Sequence, residues 1–161
     1  MRHRIVAVIG ASQPSALERR LALDVGAGLA RAGLTLLTGG LGGTMEAASE
    51  GAKQAGGLVI GVVPGADPES CNSHVDICIA TGLGDGRNAL IANSADAFVA
   101  VGGGLGTLSE IAYALKRNKP VVALSTWKLD ASRLADEPWI EVDSADEAVR
   151  EICKRLPSGG S

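Results

Sequence analysis

Glycine-rich segments are the parts of this sequence best suited to binding chemistry, and the strongest signal is VGGGLGTLSE over residues 101–110. Glycine lets the backbone turn sharply and approach a ligand closely. The N–H groups that open a following helix lack partners within that helix, and together with the helix dipole they favour a phosphate group. The segment is not a Walker loop, because no Gly-Lys-Ser/Thr follows. It predicts a phosphate-binding turn, with a purely structural tight turn as the alternative; its members are Gly102, Gly103, Gly104, Gly106 and Thr107.

Two more loops repeat this pattern less strongly. TGGLGGT over 38–44 adds Gly39, Gly40, Gly42, Gly43 and Thr44 to the predicted binding set, and the Gly-Ala-Ser over 10–12 adds Gly10 and Ser12. Either loop alone is also typical of an ordinary turn. In a parallel sheet, however, all three loops follow the carboxyl ends of strands and lie on one edge, where ligands bind. Their combination predicts a single crevice.

Three polar side chains accompany the loops. Arg87 and Asn88 open a predicted helix, and a guanidinium there can grip a phosphate or a carboxylate, although a solvent-exposed arginine is the ordinary alternative. Glu110 lies in the first turns of the helix after the 102–106 glycine segment. Its carboxylate suits ribose hydroxyls or a developing positive charge, or it only complements the helix dipole. We predict that all three belong to the binding site.

The elements that must position these residues alternate between strand and helix. Predicted strands cover 4–10, 34–37, 58–63, 76–80, 97–101, 120–124 and 139–142. Predicted helices cover 44–54, 85–93, 107–117 and 144–156, and another begins near Ser15, which has capping-box spacing to Glu18. This alternation predicts one doubly wound, Rossmann-like α/β domain over 1–156, with a mostly parallel sheet and helices on both faces. A disordered tail is predicted over 157–161.

Composition narrows the classes of partner. The 161 residues carry a formal net charge of −3 and only 2% aromatic residues, which argues against a nucleic-acid partner. No apolar stretch approaches the roughly 20 residues that span a bilayer, so no membrane partner is expected. The three cysteines predict reduced thiols and a cytoplasmic location. Cys71, His74 and Cys78 have the spacing of zinc ligands but no evident fourth ligand, and we predict no metal in the protein itself.

The segment GRNALIANSADAFVAVGGGLGTLSEIAYALKRNKPVVAL, over 86–124, resembles the Lonely-Guy-like branch of Rossmann-type nucleotide-binding proteins, sometimes labelled lysine decarboxylase-like. Within it, this segment and TGGLGGTMEAASEGA over 38–52 are most similar to molybdenum cofactor carrier proteins. The resemblance implies that the crevice holds a phosphate-bearing pterin or nucleotide without chemistry. It also implies a homo-oligomer, either dimer or tetramer.

The same resemblance implies an enzymatic alternative. In phosphoribohydrolases, which cleave the N-glycosidic bond of a nucleoside 5′-monophosphate, the positions matching Arg87 and Glu110 are catalytic. This sequence departs from their pattern at three places: Val101 replaces a proline, Asn88 replaces a lysine, and the 44–46 segment replaces Gly-Leu-Met-Gly. The first expectation is therefore that the protein binds or carries a phosphate-bearing ligand, such as molybdenum cofactor or a nucleoside monophosphate. Hydrolysis and a nucleotide-sensing regulatory module stay open as alternatives, as do the identity of the ligand, the number of subunits and the physiological partner.

Overall fold

The computed structural model describes residues 2–156, which form a seven-stranded parallel sheet flanked by helices. The strands are β1 (Ile5–Gly10), β2 (Thr35–Thr38), β3 (Val59–Val63), β4 (Ile77–Ala80), β5 (Ala97–Gly102), β6 (Val121–Thr126) and β7 (Trp139–Val142). The helices are α1 (Ala16–Arg31), α2 (Thr44–Gln54), α3 (Arg87–Ser94), α4 (Leu105–Lys116), α5 (Ala131–Leu134) and α6 (Ala145–Arg155). Short 3₁₀ turns cover Pro68–Ser70 and Gly84–Gly86. The predicted fold class is confirmed, while the predicted tail over 157–161 lies outside the described residues.

The strand order is β4-β3-β2-β1-β5-β6-β7, and every neighbouring pair is parallel. From β1 the chain adds β2, β3 and β4 on one side of the sheet, and it then adds β5, β6 and β7 on the other side. The strand order therefore reverses between β1 and β5. Such a reversal opens a crevice at the carboxyl ends of the two central strands. Here those ends are Gly10 and Gly102, both from the predicted glycine loops.

Alternating side chains of the central strands supply two apolar cores, one on each face of the sheet. In β1, Val6 and Val8 enter the core shared with α1, α2 and α6, whereas Ala7 and Ile9 enter the opposite core with residues of α3 and α4. All four are at most 2% exposed. Strands buried on both faces are continuous aliphatic runs, which explains the low aromatic content.

Helices α1 and α2 cross at unusually short range. A Cβ added at Gly26 would lie 2.0 Å from the carbonyl oxygen of Ala48, and one added at Gly51 would lie 1.9 Å from that of Leu23. Only glycine allows the two backbones to approach this closely. This contact fixes α2, and therefore the loop before it, against α1.

The predicted capping box at the start of α1 is confirmed: Ser15 Oγ accepts from Glu18 N–H, and Glu18 accepts from Ser15 N–H. Helix α4 begins at Leu105, two residues earlier than predicted, and Gly104 is its N-cap residue. Gly106 consequently lies inside the helix rather than in the loop.

The prediction that the three cysteines are reduced thiols is wrong for two of them. Cys71 and Cys78 form a disulfide with a Cα–Cα distance of 6.1 Å, whereas Cys153 is a free, exposed thiol. The segment before β4 folds back beside that strand and brings the two residues together. Sequence spacing alone does not contain this information.

Candidate functional site

An open cavity of about 280 Å³ lies where the strand order reverses. It brings together residues from all three predicted loops and all three predicted polar side chains: Gly10, Ser12, Gly39, Arg87, Asn88, Gly104, Gly106, Thr107 and Glu110. Six predicted members lie outside its lining: Gly40, Gly42, Gly43, Thr44, Gly102 and Gly103. The three loops therefore converge as the topology requires.

Helix α4 follows the glycine loop at the end of β5 and begins beside the cavity. Gly104 has open space around it, because an added Cβ would meet nothing within 4 Å. The first N–H groups of α4, from Leu105 onward, have no intrahelical acceptor and carry the positive end of the helix dipole. Thr107 and Glu110 are three residues apart and share the helix face that lines the cavity. This end of the cavity suits an anion.

The other two loops pack on each other. Gly43 N-caps α2 with φ +70°, and a Cβ there would lie 2.3 Å from the carbonyl oxygen of Ser12. Thr44 is fully buried and donates its N–H to Ala11 O at 3.0 Å, while its hydroxyl has no hydrogen-bond partner among the described residues. Most of the second loop thus positions the cavity wall, and Gly39 is its member that lines the cavity.

Gly102 and Gly103 line a second cavity, of about 350 Å³. This cavity is lined by Glu18, Gly102, Gly103, Ser125, Thr126 and Trp127. Thr126 Oγ1 donates to Gly102 O, and the indole N–H of Trp127 donates to Gly104 O at 3.1 Å. These bonds from the end of β6 hold the glycine loop in place from behind.

Arg87 makes three hydrogen bonds, two of which anchor it to the sheet. Its Nη1 donates to the carbonyl oxygens of Gly39 at 2.5 Å and Val62 at 2.6 Å, and its Nε donates to Asn88 Oδ1 at 3.0 Å. Within residues 2–156, Nη2 has no protein acceptor. The side chain therefore joins the ends of β2 and β3 and leaves one amino group for a ligand.

The ionisable side chains that line the cavity are Asp85, Arg87 and Glu110. Burial lowers the pKa of Arg87 below its ordinary value, against the opposing influence of Glu110 and Asp85, but a guanidinium stays charged at any physiological pH. Burial raises the pKa of Glu110 from 4.5 to about 7, while the charge of Arg87 opposes the rise. Near neutral pH Glu110 is consequently present in both protonated and ionised forms, able to donate or only to accept.

Five lining residues are missing from the predicted set: Val8, Ile9, Ala11, Met45 and Asp85. Met45 follows the second glycine loop, and its sulfur would lie 2.5 Å from a Cβ added at Gly39. Asp85 belongs to the 3₁₀ turn before α3. Met45 carries no chemical signature of a binding residue, whereas Asp85 is adjacent to Arg87 in the Gly-Asp-Gly-Arg-Asn sequence and could have been included.

Within the described residues, no group of three or more His, Cys, Asp or Glu side chains is placed to hold a metal ion. The Cys71–Cys78 disulfide also removes the two thiolates that a zinc site at 71–78 would need. No helix over residues 2–156 has the length and apolar character of a membrane span.

This chain matches a known protein family and is similar to several solved structures. Residues 3–150 match the SLOG cluster4 family. The molybdenum cofactor binding protein from Rippkaea orientalis is 40% identical, with a TM-score of 0.87 over 96% of this chain and 97% of that one. The molybdenum cofactor carrier protein from Chlamydomonas reinhardtii is 37% identical, with a TM-score of 0.88 over 96% of this chain and 99% of that one.

A cytokinin riboside 5′-monophosphate phosphoribohydrolase from Mycobacterium tuberculosis is 33% identical over 132 residues, which cover 76% of this chain and 71% of that protein. Both kinds of relative implied by the sequence resemblance are therefore similar to this chain.

Proposed function

The chain belongs to the SLOG cluster4 family and has the same fold as molybdenum cofactor carrier proteins, and we propose that it binds and carries a phosphate-bearing pterin or nucleotide without converting it. Molybdenum cofactor is the first candidate cargo. The observation that carries the proposal is the single cavity in which Arg87, the start of α4 and Glu110 meet.

The residues present fit such a ligand. The N–H groups that open α4 and the unpaired Nη2 of Arg87 supply donors for phosphate oxygens. The cavity, at about 280 Å³, lies at the lower end of the range for ligand sites and is open to solvent, so part of the ligand extends outside it.

Glu110 adds selectivity for the remainder of the ligand. In its ionised form it accepts hydrogen bonds from neighbouring N–H donors, such as those of an amino-pyrimidinone ring, and in its protonated form it also donates. Within one cavity, Arg87 thus binds the anionic group of the ligand, and Glu110 binds its heterocycle or sugar.

Native mass spectrometry of the purified protein with molybdenum cofactor, AMP and other nucleoside monophosphates tests this proposal. We expect an intact bound ligand and no cleaved product. Arg87→Ala should weaken binding at least tenfold, since a charge-assisted hydrogen bond contributes about 1.5–3 kcal/mol. Gly104→Val should weaken it as strongly, because the new side chain occupies space that the ligand needs. The fold should tolerate this change, since a Cβ added at Gly104 meets no atom within 4 Å.

Gly65→Val is the matched control, since Gly65 also has open space around it but lies outside the cavity. Unchanged affinity in both Arg87→Ala and Gly104→Val would show that the ligand binds elsewhere. A shift in oligomer mass on ligand binding would instead indicate a nucleotide-sensing module.

Hydrolysis of a nucleoside 5′-monophosphate is the second candidate, and the position of Glu110 in the same cavity as Arg87 is the observation that favours it. An ionised carboxylate next to the ribose would stabilise the positive charge that develops as the N-glycosidic bond breaks. Release of free base and ribose 5-phosphate that disappears in Glu110→Ala would identify this activity and overturn the carrier proposal.

We also propose that the protein forms a homo-oligomer and acts in the cytoplasm. Exposed apolar side chains at Leu83, Leu105 and Tyr113, the last two on α4, support a subunit contact near the cavity. Light scattering coupled to size-exclusion chromatography tests the assembly; a monomer at micromolar concentration would contradict it.

A further inference from the structure

We propose that Cys71 and Cys78 form a reversible dithiol–disulfide site that controls the second glycine loop, over 39–43, and through it the ligand cavity. The disulfide joins the segment before β4 to β4 itself, with a sequence separation of 7 residues. Cys78 pairs with Gly61 of the neighbouring strand, so one end of the disulfide belongs to the sheet. The other end belongs to a segment that contacts the glycine loop.

The contact between that segment and the glycine loop is made by Asn72, the residue after Cys71. Its backbone N–H donates to Gly40 O at 2.8 Å, and its side-chain amide donates to Leu41 O at 2.9 Å and to Gly40 O at 3.2 Å. Its side-chain oxygen accepts from His74 N–H at 3.0 Å. Asn72 therefore ties two carbonyl groups of the glycine loop to the disulfide segment.

The sulfur of Cys71 packs on the same loop. It would lie 3.0 Å from a Cβ added at Gly40 and 2.9 Å from one added at Gly61, so it fills the space that these glycines leave. Gly40 has φ +77°, a conformation that glycine adopts without strain. The loop is thus shaped against the sulfur on one side and Asn72 on the other.

The glycine loop continues directly into the cavity wall. Gly39 lines the cavity, and its carbonyl oxygen accepts from Nη1 of Arg87. Movement of the loop at Gly40 therefore shifts the Gly39 carbonyl group, which holds the guanidinium of Arg87. The Cys71 and Cys78 side chains are only partly buried, which leaves the disulfide within reach of a small dithiol.

Reduction by a dithiol transfers two electrons and two protons: the Cys71–Cys78 bond breaks to give two thiols, and the dithiol becomes a disulfide. The segment over 71–76 is then no longer covalently held beside β4. We expect the Asn72 contacts to open more often and the affinity for a ligand that depends on Arg87 to fall.

Backbone amide exchange of the full chain, with and without dithiothreitol, tests the control of the loop. The reporting N–H groups are those of Gly40, Asn72 and His74, each of which donates a hydrogen bond in this region. Losing the equivalent of one net hydrogen bond corresponds to about a fivefold change in an equilibrium constant. We therefore expect at least about fivefold faster exchange at these sites on reduction.

Cys78→Ser is the informative variant, because it breaks the disulfide and leaves the Cys71 sulfur against the loop. It should exchange as the reduced protein does and show no response to dithiothreitol. Cys153→Ser, which changes the free thiol on α6, should behave as wild type. Alkylation of the unfolded chain should count one free thiol before reduction and three after it.

Equal exchange in the oxidised and reduced proteins, or three free thiols after treatment with oxidised glutathione, would overturn the proposal. The connection to the cavity rests on the proposed function, and we test it by titrating AMP into both forms. A weaker affinity for AMP in the reduced protein supports the connection, and equal affinities refute it. If AMP and molybdenum cofactor both fail to bind, the proposed function fails, while amide exchange still decides on the disulfide.

Discussion

Glu110 offers the sharpest quantitative test of the cavity's electrostatics. Its side chain is partly buried on α4, and burial raises its pKa from 4.5 to about 7. Glu110→Gln keeps the size of the side chain and mimics the protonated carboxyl at every pH. Comparing wild type with this variant therefore isolates the free energy of ionising one carboxyl group inside the cavity.

The sign follows from proton binding. A carboxyl group whose pKa is higher in the folded than in the unfolded protein binds more protons when folded, so its contribution to stability falls as pH rises. The loss begins above the unfolded pKa near 4.5 and is complete above the folded pKa of about 7. At about 1.4 kcal/mol per pKa unit, the total is about 3 kcal/mol.

Urea unfolding of both proteins at several pH values between 4.5 and 8.5 measures this difference. The two free energies of unfolding should agree near pH 4.5, and Glu110→Gln should be more stable by about 3 kcal/mol above pH 8. Glu137→Gln is the control, because it removes an exposed carboxylate and reports the change in net charge alone. A constant difference between Glu110→Gln and wild type across this range would refute the assignment of a strongly desolvated carboxyl group.

Two further substitutions test the scaffold that holds the cavity. Gly26→Ala places a methyl group 2.0 Å from Ala48 O and should lower the free energy of unfolding by about 3 kcal/mol. Gly65→Ala is the control at an open position, and it should change this free energy by less than about 0.5 kcal/mol. Urea denaturation measures both variants. Burial would raise the pKa of Asp96, but the 2.7 Å ion pair with Arg2 and a backbone N–H donor bring it below its ordinary value. Its stabilisation is therefore present above about pH 4 and lost below it, so Asp96→Asn should cost about 1–2 kcal/mol at pH 7 and converge with wild type at acidic pH.

The arrangement of the sheet could be predicted because it follows from local pattern. Aliphatic runs ending in glycine define the strands, and their alternation with helices predicts a parallel, doubly wound sheet. The convergence of Gly10, Gly39 and Gly104 on one cavity follows from that topology, since all three come after the carboxyl ends of strands. Arg87 and Glu110 meet there for the same reason.

What the sequence could not predict depends on contacts between distant segments. Most glycines of the second loop serve packing, because Gly43 meets the backbone of Ser12 and Gly40 meets the sulfur of Cys71. A glycine that admits another chain segment and a glycine that admits a ligand have the same local signature. The Cys71–Cys78 disulfide was missed for a related reason: it depends on how the segment before β4 folds back on that strand.

The two candidate functions place opposite demands on Glu110, and its pKa of about 7 makes them separable by pH. A carrier holds an anionic ligand more tightly when Glu110 is protonated, because ionisation adds a negative charge near the phosphate. Its affinity therefore falls between pH 6 and pH 8, and Glu110→Gln removes the decline. A hydrolase needs the ionised carboxylate to stabilise positive charge on the ribose, so its rate rises over the same interval and Glu110→Gln abolishes turnover. One substitution, measured across one pH range, thus assigns the cavity to carrying or to catalysis by the sign of its effect.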